Sequence, residues 1–275
     1  MLNRLLYINL GFFLIYKLVV VFLFLLKMES IQMISNLGVS SNFEILKSKP
    51  WTLITYMFFH KGFLHLLVNL MWLFFGGKIF LRYLSNKQLM STYVLGGISG
   101  VLFYILAFNY LPAFEGVESI AIGASASVLA ILLAIATYVP NYQVELTFVG
   151  RVKLKQIAIF SIVLDILLIP QGNAGGHIAH LGGAFYGYIF AKQLKNGKDV
   201  SKWFDQLITY LSNIIKRKSA PLKTVHKRAK NDDQWRKEKV QTQEQINLIL
   251  EKISKSGYES LSKEEKDTLF KASKK

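Results

Sequence analysis

Gly123-Ala124-Ser125-Ala126-Ser127 and, about fifty residues later, Gly176-His177-Ile178-Ala179-His180-Leu181-Gly182-Gly183 each stand just inside one end of an apolar run that fits a bilayer. Polar side chains at such depth are costly and are usually kept for function. The two stretches therefore set the fold to be expected, a helical membrane bundle, and the side chains it is organised around, Ser125 and His180.

Composition agrees on the solvent. Of 275 residues 52% are hydrophobic, and several nearly uncharged runs approach the ~20 residues a spanning helix needs. The fold class that follows is all-α and polytopic. Net charge is +16, and 10 of those charges lie from Lys192 onward, where 21 Lys and Arg face 11 Asp and Glu. Much of the rest sits in short connections between apolar runs, which suits a cytoplasmic membrane face and argues against nucleic acid as a partner. The chain has no cysteine, so thiolate catalysis, disulfides and cysteine metal sites are excluded.

Residues 5–26 read as a retained first span, interrupted by Asn9 and by Lys17, whose charge needs a polar neighbour, water or an interface. The mixed connection 27–59 carries Phe43, Trp51, Tyr56, Phe58 and Phe59, which suit a headgroup layer, either as an ordinary loop or as an interfacial substructure. Further spans are expected at 60–81, 89–111, 120–139, 157–169 and 176–191. Cations follow the second span (Lys78, Arg82, Lys87), the fourth (Arg151, Lys153, Lys155) and the sixth (Lys192, Lys195, Lys198). The connection after the third span holds Glu115 and Glu118, and that after the fifth is uncharged. The positive-inside rule then puts both termini in the cytoplasm.

This topology sets His65, Ser125 and His180 four or five residues inside the outer ends of their spans, in one layer roughly 6 to 8 Å deep at ~1.5 Å per residue. Asn69, four residues after His65, shares its helix face. Ala126, Ala130 and Ala134 form a small-residue stripe on the fourth span, and Ala179, Gly183, Gly187 and Ala191 form another on the sixth. Docking these stripes brings Ser125 towards His180. A serine hydroxyl needs a base to become a nucleophile, and histidine titrates where it can serve. His65, Asn69 and the backbone amide of Ser125 could steady a developing oxyanion. The motifs themselves contain no acid to orient His180, so a dyad is the simplest arrangement, although Asp165 could approach the layer. Ser127 is a rival nucleophile but lies ~200° around the helix from Ser125.

His60 through Asn69 with Leu70-Met71-Trp72 and Gly76-Gly77, then Gly123-Ala124-Ser125, then Ala179-His180 followed by Gly183 and Gly187, resemble the rhomboid intramembrane serine proteases. The resemblance implies a six-transmembrane-helix bundle with a cytoplasmic helical tail. It implies Ser125 as nucleophile, His180 as base and His65 and Asn69 at the oxyanion hole, with His60, Gly123, Gly183 and Gly187 supporting them. It also implies transmembrane protein substrates cut near the extracytoplasmic interface. The chain departs from the family's usual pattern at Trp51-Thr52, Ala126 and Leu129. A catalytically inactive relative that binds transmembrane helices as an adaptor is the alternative. A metal centre built from His60, His65, His177 and His180 fits the spacing poorly, so neither metal nor cofactor is expected.

The domain reading is a catalytic membrane domain at 1–195, a basic amphipathic helix and charged linker at 196–240, and a small helical hairpin at 241–275. Trp203, Phe204, Leu207, Ile208, Leu211, Ile214 and Ile215 suit a helix lying on the membrane and ending in Lys216-Arg217-Lys218, with a linker from Lys223 to Lys239 beyond it. Ser262-Lys263-Glu264-Glu265 reads as a capping box. The expected setting is integral in a lipid bilayer, as in a bacterial plasma membrane.

Overall fold

The computed structural model describes residues 1–28, 35–146, 150–215 and 232–273. It divides into two compact units, Met1–Arg217 and Lys218–Lys275. The first unit runs α1 (Leu2–Leu25), β1 (Val39–Ser40), α2 (Phe43–Ser48), α3 (Thr52–Thr55), α4 (Phe63–Tyr83) and α5 (Asn86–Tyr110). It continues with β2 (Ile120–Ala121), α6 (Ser125–Tyr138), β3 (Gln143–Leu146), β4 (Gly150–Lys153), α7 (Leu154–Leu168), α8 (Ala174–Lys195) and α9 (Lys202–Ile215). Among the described residues four stretches, Leu2–Leu25, Phe63–Tyr83, Asn86–Tyr110 and Leu154–Gln171, are long and apolar enough to cross a membrane. The protein is an integral membrane protein. Of the other two expected spans, α6 is apolar but only 14 residues long, while α8 has 22 residues but is diluted by glycine and histidine. At ~1.5 Å per residue α6 reaches about 21 Å, short of a hydrocarbon core of about 30 Å.

The expected fourth span needs correction. Residues 120–124 are not helical: Ile120 and Ala121 pair antiparallel with Ser40 and Val39, and Gly123, at φ +133°, cannot continue into a helix. Ser125 is thus the first residue of α6 instead of lying a turn inside it. The helices-only expectation also misses the hairpin β3–β4, where Val144 faces Val152 and both pack on the core. Four-residue strands are too short for an alternation signal to stand out.

At the centre α5, α6 and α8 meet on their small residues. A Cβ on Gly183 or Gly187 would overlap the carbonyl oxygens of Ala126 and Ala130. One on Gly100 would stand 2.6 Å from Ala126 Cβ and 2.7 Å from the Ala179 carbonyl oxygen. The two predicted stripes therefore dock, with α5 closing the third side, and backbones approach because no side chain intervenes.

Several polar groups buried in this bundle are paired with one another, although the hydroxyls of Thr92 and Ser127 are buried without a hydrogen-bond partner. Asn9 Nδ2 donates to Leu5 O (2.8 Å) and Tyr93 Oη (3.1 Å), Tyr93 Oη donates to Met57 O (3.2 Å), and Tyr56 Oη donates to Gly97 O (2.7 Å). The connection before α4 is a folded substructure. Trp51 Nε1 donates to Asn36 O (2.9 Å), Thr55 Oγ1 to Leu37 O (2.8 Å), and Asn109 Nδ2 on α5 to Ser41 O (2.8 Å). Lys17 donates to Lys61 O (3.2 Å) just before α4, and the Phe13 and Tyr16 rings each lie 5.6 Å from its ammonium. On α9, Phe204 is buried and Asp205 accepts from Ser91, while Trp203, Leu207, Ile208, Leu211 and Ile214 are exposed along the helix. Lys216-Arg217-Lys218 and residues 223–231 of the expected linker lie outside the described residues.

The second unit holds α10 (Asp232–Ser256) and α11 (Lys263–Ser273). The first begins within the stretch read from sequence as linker; 232–239 contains neither glycine nor proline to break a helix. Ser262 and Glu265 exchange the reciprocal bonds of a capping box, and Lys252 pairs with Glu265 at 2.9 Å.

The close α6–α8 approach makes a clear expectation. Gly187→Ala should destabilise the protein by about 1–3 kcal/mol, whereas Gly11→Ala, on α1 with nothing within 4 Å, should be neutral or gain up to about 1 kcal/mol. Thermal unfolding of the two variants in detergent measures the difference.

Candidate functional site

The site forms where the start of α6 meets α4 and α8. Gly123 N–H donates to Tyr56 O (2.9 Å), and Ala124 N–H donates to Nε2 of the fully buried His60 (3.4 Å). These two bonds fix the two residues ahead of Ser125. As the first helical residue, Ser125 presents a backbone N–H with no partner inside its own helix, at the positive end of the helix dipole. The small gap beside it is shared. A Cβ on Gly123 would lie 2.8 Å from His65 Cε1, 2.9 Å from His65 Nε2 and 3.7 Å from Ser125 Oγ. Glycine is needed there twice over, for its positive φ and for the space.

His65 is the third residue of α4 and packs edge-on against His60, centroids 5.2 Å apart. Asn69, 5% exposed, donates through Nδ2 to the His65 carbonyl at 2.8 Å. One N–H of that carboxamide is thereby used within α4, leaving one.

His180 lies on α8 beside the stripe that docks on α6. Its Nδ1 lies 2.8 Å from Asp165 Oδ1, and His177 Nδ1 lies 2.8 Å from the same oxygen. Asp165, on α7, is 8% exposed. An ionised carboxylate only accepts hydrogen bonds, so both imidazoles donate to it. The motifs read from sequence contain no acid, and Asp165, which could approach the layer on that reading, stands beside the His180 imidazole in the structure. A signal was present, since Asp165 is the one charged residue in 157–169, but its facing depends on how α7 packs.

Ser125, His180 and Asp165 line one cavity of about 670 Å³. Its walls are mostly apolar: Val68 and Trp72 from α4, Leu129 and Leu132 from α6, Phe160 and Leu164 from α7. Among the described residues no hydrogen bond joins Ser125 Oγ to His180. Ser127 points elsewhere: it is buried against α5, where a Cβ on Gly97 would stand 2.5 Å from its Oγ. The histidines fall into two pairs, His60 with His65 and His177 with His180, not a single four-histidine cluster. Among the described residues, the group with donor atoms close enough for a metal, within 4.8 Å of one another, is Asp165, His177 and His180.

The rhomboid domain family model matches residues 47–196, and a family of unknown function, DUF6576, matches residues 230–275. The RHOMBOID-like protein 12, mitochondrial, of Arabidopsis thaliana is 30% identical over 178 residues, covering 60% of this chain and 52% of the relative. The chain thus spans about half the length of the curated relative it matches. With the domain match extending over more than half of the sequence and enclosing Ser125, His180, His65 and Asn69, the chain belongs to the rhomboid family.

Proposed function

We propose that the chain is an intramembrane serine endopeptidase that cleaves transmembrane segments of membrane proteins near the extracytoplasmic interface. The observation that carries this reading is the opening of Ser125 and His180 into one apolar-walled cavity. Val68, Phe160 and Leu164 line that cavity yet are also exposed on α4 and α7, so a lipid-embedded segment can reach the serine between those helices.

In this reading Ser125 Oγ attacks the scissile carbonyl carbon while its proton passes to His180 Nε2. The C–N bond then breaks as the imidazolium returns that proton to the leaving amine, giving an acyl-enzyme. Water repeats the sequence and frees the serine. The transient oxyanion faces the Ser125 backbone N–H, His65 and the remaining amide N–H of Asn69. Gly183 and Gly187 support the pair by letting α8 approach α6, and His60 by holding the backbone ahead of Ser125. Six spans with both termini cytoplasmic, in a plasma membrane of bacterial type, fit the distribution of cations. The exposed apolar residues of α9 then rest on the same bilayer. The inactive adaptor reading draws on the missing Ser125–His180 bond, but such bonds often tighten only when substrate binds.

Cleavage of a model transmembrane substrate in liposomes tests this. Ser125→Ala and His180→Ala should each lower turnover by about 10³-fold or more, and chelator should leave wild type unaffected. Capture of substrates without cleavage by wild type would replace the protease reading with the adaptor. Gly123→Ala should fold but turn over about 10²-fold more slowly, through strain at positive φ and displacement of His65, as read from steady-state kcat.

A further inference from the structure

We infer that Asp165 is a positioning residue for His180, so that the reacting pair works within a Ser125–His180–Asp165 triad, with His177 restraining the carboxylate. This rests on the proposed protease reading and goes beyond it, since that reading requires only the serine and the base.

Three features of the site carry the inference. Asp165 is nearly buried on an apolar helix whose neighbouring residues Ile159, Phe160, Val163, Ile166 and Leu167 are exposed, so α7 turns its one acid inward. An acid in such a place is retained only where something compensates its desolvation. The compensation is specific: one oxygen, Oδ1, stands 2.8 Å from the Nδ1 atoms of both His180 and His177. His177 and His180 are three residues apart on α8 and share a face, so one carboxylate meets both.

The chemical consequence falls on the far nitrogen of His180. An imidazole with its proton on Nδ1 carries its lone pair on Nε2, and neutral histidine without a partner exchanges between tautomers. Asp165 therefore keeps His180 in the form that accepts the Ser125 proton. When the transfer occurs, the imidazolium lies against an anion in an apolar surrounding, where its charge is best stabilised. The second proton stays on Nδ1, and the carboxylate takes none. His177 contributes by geometry: its bond to the same oxygen stops the Asp165 side chain from turning away from His180.

The test uses the full chain in liposomes with a transmembrane substrate, together with fluorophosphonate labelling of Ser125 as a readout of nucleophile activation. Asp165→Asn keeps the shape and removes the charge. It should lower kcat by about 10²-fold or more with KM little changed, and slow labelling to match, at an unfolding temperature near that of wild type. Asp165→Glu, which keeps the charge on a longer arm, should fall between Asn and wild type. Wild-type kcat in Asp165→Asn beside an inactive Ser125→Ala would overturn this assignment and leave the protease reading intact. Should Asp165→Asn unfold, Asp165→Glu decides, and an unchanged labelling rate there overturns the assignment. Loss of wild-type activity on chelation, restored by zinc, would make Asp165, His177 and His180 a metal centre instead. A wild-type protein that neither cleaves nor labels at Ser125 removes the protease reading and this assignment together.

Discussion

Backbone on backbone, without side chains between, is the contact on which the molecule depends. Gly183 and Gly187 of α8 lie against the carbonyl oxygens of Ala126 and Ala130 on α6, and Gly100 of α5 closes on Ala126 and Ala179. Lipid is as apolar as leucine, so helices gain little by burying apolar surface against each other. Close packing and polar pairing must do the work. A methyl group at these positions would push α6 and α8 apart and withdraw His180 from the start of α6.

The same logic governs the buried polar groups. Asn9, Tyr93 and the Met57 carbonyl satisfy each other across α1, α5 and the connection before α4. The Lys17 ammonium is solvated by the Lys61 carbonyl and two ring faces, which answers how a cation is carried in the first apolar run. Asp165 belongs to this set, but its partners are two histidines, of which His180 opens into the cavity that Ser125 also lines. In the proposed mechanism the same buried acid sets the tautomer of the base.

Non-helical backbone places the serine. The short pairing of Val39–Ser40 with Ile120–Ala121, the Gly123–Tyr56 bond and the His60–Ala124 bond tie the chain before α6 to the folded connection ahead of α4. Irregular backbone at membrane depth is tolerated where protein or a water-filled cavity satisfies it. Here the amides of Gly123 and Ala124, just ahead of Ser125, each have a partner, and the helix start that follows leaves amides without partners inside the helix.

What the sequence alone determined is what periodicity and composition encode: the membrane setting, the apolar runs, the small-residue stripes, and Ser125, His65, Asn69 and His180 as the polar groups to follow. These follow from local rules, because a stripe or an apolar run is legible along the chain itself. Tertiary structure decided the rest. The late start of α6 depends on a strand partner eighty residues away, too distant in sequence for a local pattern to record. The hairpin β3–β4 is too short to announce itself, and the role of Gly123 emerges only once His65 occupies the space beside it. Asp165 was visible as a lone acid, but whether it met lipid, water or an imidazole depended on the rotation of α7 about its axis. That rotation is fixed by packing against α6 and α8, which no stretch of α7 specifies by itself.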